Sequence, residues 1–249
     1  MSGPTKKVSI ITSSTGTNEL RKACESVLNQ DYPHVNYVIV SDGPKFHSKV
    51  KKQIKEFKDR LLLFNLPENT GANGIGGYRV YAAFSFLVNS DYICFLDEDN
   101  WLDSNHISSL VETMQSDTKL DWCYSLRKVY TKDEKYLFND DCESLGRWPV
   151  WNSQNNYHVD IGAYFFKTEF VRSFISVLNK PIIGDRVLLA HLLRYSVDNF
   201  KCSGKYTLNY RLGGNPNSVS KEFFVTGNEK MKEVYPEKFP WIDYSSELS

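Results

Sequence analysis

Between residues 8 and 114 the chain repeatedly exchanges one hydrophobic period for another, and this alternation restricts the fold more than any other feature. Val8, Ser9, Ile10, Ile11 and Thr12 form a short β-rich run, after which Leu20, Ala23, Cys24, Val27 and Leu28 recur at helical spacing. Tyr37 to Val40 reads as a second strand, and it stops at the turn cluster Ser41-Asp42-Gly43-Pro44. Val50, Ile54 and Phe57 then mark one face of a basic helix. Residues 61–66 form a third strand, 77–89 a third helix, 92–96 a fourth strand, and Ile107, Leu110, Val111 and Met114 a further amphipathic helix. Strand and helix in alternation imply βαβ units and a largely parallel sheet, with ligands at the carboxyl ends of the strands. Each polar strand end is therefore a candidate site: Thr12-Ser13-Ser14, Ser41-Asp42-Gly43 and Asp97-Glu98-Asp99.

Beyond residue 115 the rhythm changes. Residues 123–130 read as a strand, and 133–160 are polar, irregular and rich in aromatics. A strand at 161–166, helices at 170–178 and 186–196, and a strand at 206–210 follow. The tail, 215–249, is polar apart from scattered aromatics, which suits a segment that wraps the surface or orders on binding. With 41% hydrophobic residues in 249, a single domain is expected. It divides into a first half of about 6–115 and a second of about 116–214.

The fourth strand ends abruptly in three carboxylates and an amide, Asp97-Glu98-Asp99-Asn100. Buried charge is costly unless paired or bound to a cation. Asp97 and Asp99 are two apart and point to one side of an extended chain. Together they offer hard oxygen ligands for magnesium or manganese, and through the ion for a diphosphate. Taken alone, the same cluster suits a solvated acidic turn.

Bulk properties exclude several other classes. Lys+Arg and Asp+Glu balance at 30 each, which favours neither nucleic acid nor an anionic membrane surface. The longest nearly apolar run, 80–88, is far short of the ~20 residues that a spanning helix needs. No hydrophobic leader precedes the first strand, so a soluble, cytoplasmic protein is expected. Five cysteines, widely spaced and without a C-x-x-C pair, suit neither a disulfide framework nor a zinc site.

The loop from Asn69 to Arg79 carries Gly71, Gly74, Gly76 and Gly77 ahead of a helix. Glycines let backbone N–H groups approach an anion, and the helix start adds favourable partial charge. Arg79 is placed to close on a diphosphate, although a solvated surface arginine has the same local pattern. No Gly-Lys-Ser/Thr follows, so this is not a Walker loop.

Four motifs stand in one order over about ninety positions: residues 19–33, ending Asn29-Gln30-Asp31-Tyr32-Pro33; then Val38-Ile39-Val40-Ser41-Asp42-Gly43; then Glu68-Asn69-Thr70-Gly71; then the stretch from Asp91 through Asp97-Glu98-Asp99 to Leu102. In this the chain resembles glycosyltransferase family 2, whose members have the GT-A fold: a Rossmann-like, mostly parallel sheet flanked by helices, with a C-terminal acceptor-binding part. The second half resembles the family more loosely, through Gly184-Asp185-Arg186, Tyr210-Arg211 and Asn217-Ser218-Val219-Ser220.

The resemblance implies an inverting transferase that uses manganese or magnesium and moves a sugar, from a UDP-sugar by preference, to a hydroxyl of a glycan or glycoconjugate. It assigns the metal to Asp99 and the ribose or metal to Asp97, with Glu98 at a less critical, outward-facing middle position. It gives the nucleobase to Asp42, which equally suits a turn-forming Asp before Gly. Thr12, Ser13 and Asn69 are expected to line the nucleotide, and Arg79 to hold its diphosphate.

Displacement at the anomeric carbon needs a carboxylate to take the acceptor proton. Asp185 matches the family's base, Asp160 is the reserve, and helix capping is the plainer role for Asp185. Trp148, Trp151 and Tyr157 suit stacking on a sugar face or plugging the core. A further ligand often comes from a C-terminal His in the family; here Gly213 and Gly214 occupy that stretch, which leaves His158 and His191 as alternatives. Retaining chemistry on the same fold, a silent nucleotide- or sugar-binding module, and a nucleotidyltransferase are the rival readings. Ser13 to Thr17 lacks the basic residue expected of the last.

Overall fold

The computed structural model describes residues 5–179, 184–196, 198–213 and 219–244. Gly214, Asn217, Ser218 and the ends of the chain lie outside the described residues.

The first half builds parallel strands, as its periodicity predicts. Strand β1 (Val8–Ser14) pairs with β2 (Val35–Ser41) on one side and β4 (Tyr92–Phe95) on the other, and β2 pairs with β3 (Leu62–Asn65), all parallel. Val8, Ile10, Ile11, Val38, Ile39, Val40, Ile93 and Cys94 are buried, because helices cover both faces of a parallel sheet. Helix α1 (Leu20–Leu28) buries Leu20, Ala23, Cys24 and Val27, one stripe at helical spacing. Helices α2 (His47–Gln53), α3 (Tyr78–Leu87) and α4 (His106–Gln115) complete the alternation.

The second half continues the same sheet with antiparallel neighbours. Strand β8 (Tyr164–Lys167) is antiparallel to β4 and to β6 (Trp122–Tyr130), while β9 (Phe200–Arg211) runs parallel to β6 and antiparallel to the short β5 (Trp101–Leu102). The strand order is β3-β2-β1-β4-β8-β6-β9-β5, and β7 (Tyr136–Asn139) forms a hairpin with β6. That hairpin falls in the stretch read as irregular. Residues 161–163 are a single tight turn rather than strand, held by Asp160, whose carboxylate accepts from the Gly162 amide at 2.9 Å. Helices α5 (Thr168–Phe174) and α6 (Gly184–Tyr195) flank this half.

The tail is more ordered than its polarity suggests. Helix α7 (Lys221–Val234) starts at Ser220, whose hydroxyl accepts from the Phe223 amide, and it carries Glu222 in its first turn and Lys232 in its last. It closes a second core in which Phe224, Met231 and Trp241 meet Leu126, Val129, Cys142 and Leu145. Among the described residues no helix is long and apolar enough to cross a membrane.

Candidate active site

The candidate cleft lies where β1, β2 and β4 end side by side, at the carboxyl ends of the parallel strands, where such sheets take their ligands. At the end of β2 the Asp42 carboxylate accepts from the Thr70 amide and hydroxyl at 2.8 and 2.9 Å and from the Gly71 amide at 2.8 Å. Asp42 therefore organises the start of the glycine-rich loop, and Asn69 packs against Gly43. A side chain at Gly71 has no space, since its Cβ would stand 2.5 Å from the Gly76 carbonyl oxygen and 2.9 Å from Asp42. Ser13 faces Gly77 of the same loop. Thr12 departs from expectation: its hydroxyl pairs with that of Tyr37 at 3.1 Å inside the core, so only its backbone remains for a nucleotide.

Beside this loop lies the acidic turn. Asp97 accepts from the Tyr81 hydroxyl at 2.6 Å. Burial, followed by the charges of Asp99 and Asp160, pushes its carboxyl well above the usual range, and burial carries Asp99 to about 6. Two desolvated carboxylates that disfavour each other's charge are a donor set suited to a hard divalent cation, and they pass that test for manganese or magnesium. Among the described residues no group of three or more His, Cys, Asp or Glu completes a metal cage. Any ion held here takes its remaining ligands from outside that set.

Glu98 is not the outward, dispensable middle residue that was expected. Its carboxylate accepts from the Ser14 hydroxyl at 2.6 Å, the Thr15 hydroxyl at 2.7 Å, and the amides of Thr15, Gly16 and Thr17 at 3.0–3.2 Å. It thus fastens the acidic turn to the loop after β1. From the opposite side, the buried Arg211 donates to the Asp99 carbonyl at 2.9 Å and to the Lys132 carbonyl at 2.7 Å. Its backbone amide donates to Asn100. These clamps were legible only as charged residues, since nothing local shows where their partners lie.

Asp185 opens α6 and reaches the same cleft. It accepts from the Tyr78 hydroxyl, and its other oxygen lies 3.4 Å from Nε2 of His158. Its charge acts on Asp97. Arg79, exposed on the first turn of α3, donates to Asn179 at 3.0 Å and to the Thr70 carbonyl at 3.4 Å, next to the glycine-rich loop.

Other candidates have structural partners. Asp160 is buried and takes a 2.6 Å bond from Arg127, whose guanidinium also meets Asp140 at 2.7 Å and Glu143 at 2.5 Å. Trp148 packs edge-on against Trp241, and Trp151 lies tilted against Phe223, so both rings lean on the second core. Tyr157 leans on the main core. His191 sits between the rings of Phe174 and Tyr195, where burial and Arg194 lower its pKa.

Comparison with known proteins agrees with this architecture. The profile described as glycosyl transferase family 2 matches residues 9–180, more than half of the chain, and the chain belongs to that family. Glycosyltransferase GlyA of Streptococcus pneumoniae serotype 4 is 27% identical over 101 residues, which is 37% of this chain and 13% of that protein. Among solved structures, S. aureus TarS 1-349 in complex with UDP-GlcNAc superposes with a TM-score of 0.63 at 15% identity, covering 91% of this chain and 66% of that one. The complex of the same protein with UDP gives 0.62 at 14%, covering 91% and 64%. The chain thus spans about an eighth of the curated relative and about two thirds of the TarS fragment.

Proposed function

We propose that this chain is an inverting, metal-dependent glycosyltransferase that moves a sugar from a UDP-sugar to an acceptor hydroxyl on a glycan or glycoconjugate. The observation that carries the reading is the convergence of Asp97, Asp99 and Asp185 on one cleft, although they come from separate halves of the chain. Family membership and the UDP-GlcNAc bound by TarS support the donor class.

Each residue then has a task. Asp42 and the Asn69–Gly71 turn shape the nucleobase end of the cleft. The glycine-rich loop and Arg79 bind the diphosphate. Asp97 and Asp99 would hold manganese or magnesium, which when bound supplies Lewis-acid stabilisation to the departing diphosphate. Asp185 takes the proton of the acceptor hydroxyl as the new bond forms on the face opposite the leaving group. A single carboxylate placed to take the acceptor proton suits direct displacement.

Melting curves with a panel of sugar nucleotides, with and without manganese, test the donor class, because a ligand that binds only the native state raises apparent stability by mass action. A rise with one UDP-sugar that depends on manganese, followed by transfer with inverted anomeric configuration in the NMR spectrum, is the expected result. No stabilisation by any member, or a retained configuration, overturns the reading. Arg79→Ala is expected to weaken donor binding roughly 10-fold, the worth of one charge-assisted hydrogen bond. Calorimetry with UDP measures this directly, and unchanged affinity would return Arg79 to the solvated surface.

A further inference from the structure

Helix α3 begins immediately after the glycine-rich loop, and two tyrosines one turn apart face the cleft from it. Tyr81 donates to Asp97, and Tyr78 donates to Asp185. Their rings meet edge-on, with centroids 6.5 Å apart, as side chains three positions apart on a helix do. One helix face therefore holds both the metal-side carboxylate and the candidate base.

The contact at Tyr78 is built into the backbone of its partner element. A Cβ at Gly184 would stand 2.4–2.6 Å from the Tyr78 ring, so a glycine there lets the ring lie against the start of α6 and reach Asp185. Behind Asp185, His158 is buried with Nε2 3.4 Å from the second carboxylate oxygen. Among the described residues its Nδ1 has no hydrogen-bond partner, and it points toward Glu143 at 3.9 Å, itself anchored by Arg127 and by Arg186. With its proton on Nε2, the ring donates to the carboxylate.

We infer that Tyr78 is a positioning residue for Asp185, with His158 as the second holder, so that the element ending the donor loop also aims the base. The inference rests on Asp185 being the base. A carboxylate that accepts one donor on each oxygen loses rotational freedom and keeps its remaining lone pairs directed into the cleft. Neither Tyr78 nor His158 needs to touch the sugar.

The test compares Tyr78→Phe, Asp185→Asn and the double variant in steady-state transfer, with UDP affinity by calorimetry and a melting curve on each. Tyr78→Phe keeps the ring against Gly184 and removes the donor. The expected result is a 10- to 100-fold fall in kcat, with UDP affinity and donor KM within about twofold of wild type. In the Asp185→Asn background the same change then costs less than about threefold, since residues that act as a unit are not additive. His158→Gln, which keeps an amide donor near the Nε2 position, retains most of the activity that His158→Ala loses. Unchanged kcat in Tyr78→Phe, or an equal loss in both backgrounds, overturns the positioning role. Should Tyr78→Phe fail to fold, the His158 pair carries the same decision: loss in both members, or in neither, overturns it. Near-normal transfer by Asp185→Asn alone instead removes the base assignment beneath the inference.

Discussion

Asp185→Asn is expected to lower transfer by roughly 10²–10⁴-fold, the usual range for removing a general base, while donor binding and fold survive. The amide oxygen still accepts from Tyr78, so the cleft keeps its shape. What disappears is the carboxylate proposed to take the proton. Asp185 also lies in the first turn of α6, and loss of a negative charge there costs about 0.3–1 kcal/mol. The melting temperature should therefore fall by only a few degrees. A large fall in stability with proportionate loss of transfer would identify Asp185 as a helix-start residue and nothing more. Transfer near wild type would shift the role toward Asp160, but Arg127 and the Gly162 amide already occupy that carboxylate. The measurement is a rate with saturating donor, accompanied by UDP calorimetry on the same preparation.

How much of this was legible beforehand depends on whether a residue acts through its own strand or through a distant one. The acidic turn, the parallel order of β1 to β4 and the glycine-rich loop are local patterns, and each was readable as such. The inward turn of the Thr12 hydroxyl toward Tyr37 was not readable, because β1 is covered on both faces and alternation along the strand does not tell cleft from core. Glu98 was misread for a related reason: its five partners lie some eighty residues earlier, and an acid between two acids looks exposed.

For Trp148 and Trp151 the sequence left both a sugar face and core packing open, because α7 and Trp241, against which they pack, carry too little apolar sequence to announce a second core. Tyr78 and Tyr81 stand in the third helix, and nothing in their local sequence gives either a role. Only the folded chain shows that their hydroxyls end on carboxylates. The proposed function rests as much on these long-range donors as on the motif itself, because two half-buried acids are usable only when something holds them apart and aimed.

The acids' own electrostatics lead to the second large effect, in which activity and stability move in opposite directions. Asp99→Asn should abolish metal-dependent transfer and make the metal-free protein more stable above pH 6. Its carboxyl in the folded chain stands at about 6, raised chiefly by burial, against about 4 in an unfolded chain. Between those values the native state binds more protons than the unfolded state, so stability falls as pH rises through the window. The cost is absent below about pH 4 and complete above about pH 6, where it amounts to roughly 3 kcal/mol. Asn carries no such charge. The melting temperatures of wild type and variant should thus converge near pH 4 and separate by on the order of 5–10 °C at pH 7.5. Manganese with UDP should close the gap from the wild-type side, because bound charge offsets the repulsion, and should leave the variant unmoved. Differential scanning calorimetry at both pH values, with and without manganese and UDP, reads all four arms. A variant less stable than wild type at pH 7.5, or one stabilised equally by the metal, would show that Asp99 is held by protein contacts alone and carries no cation.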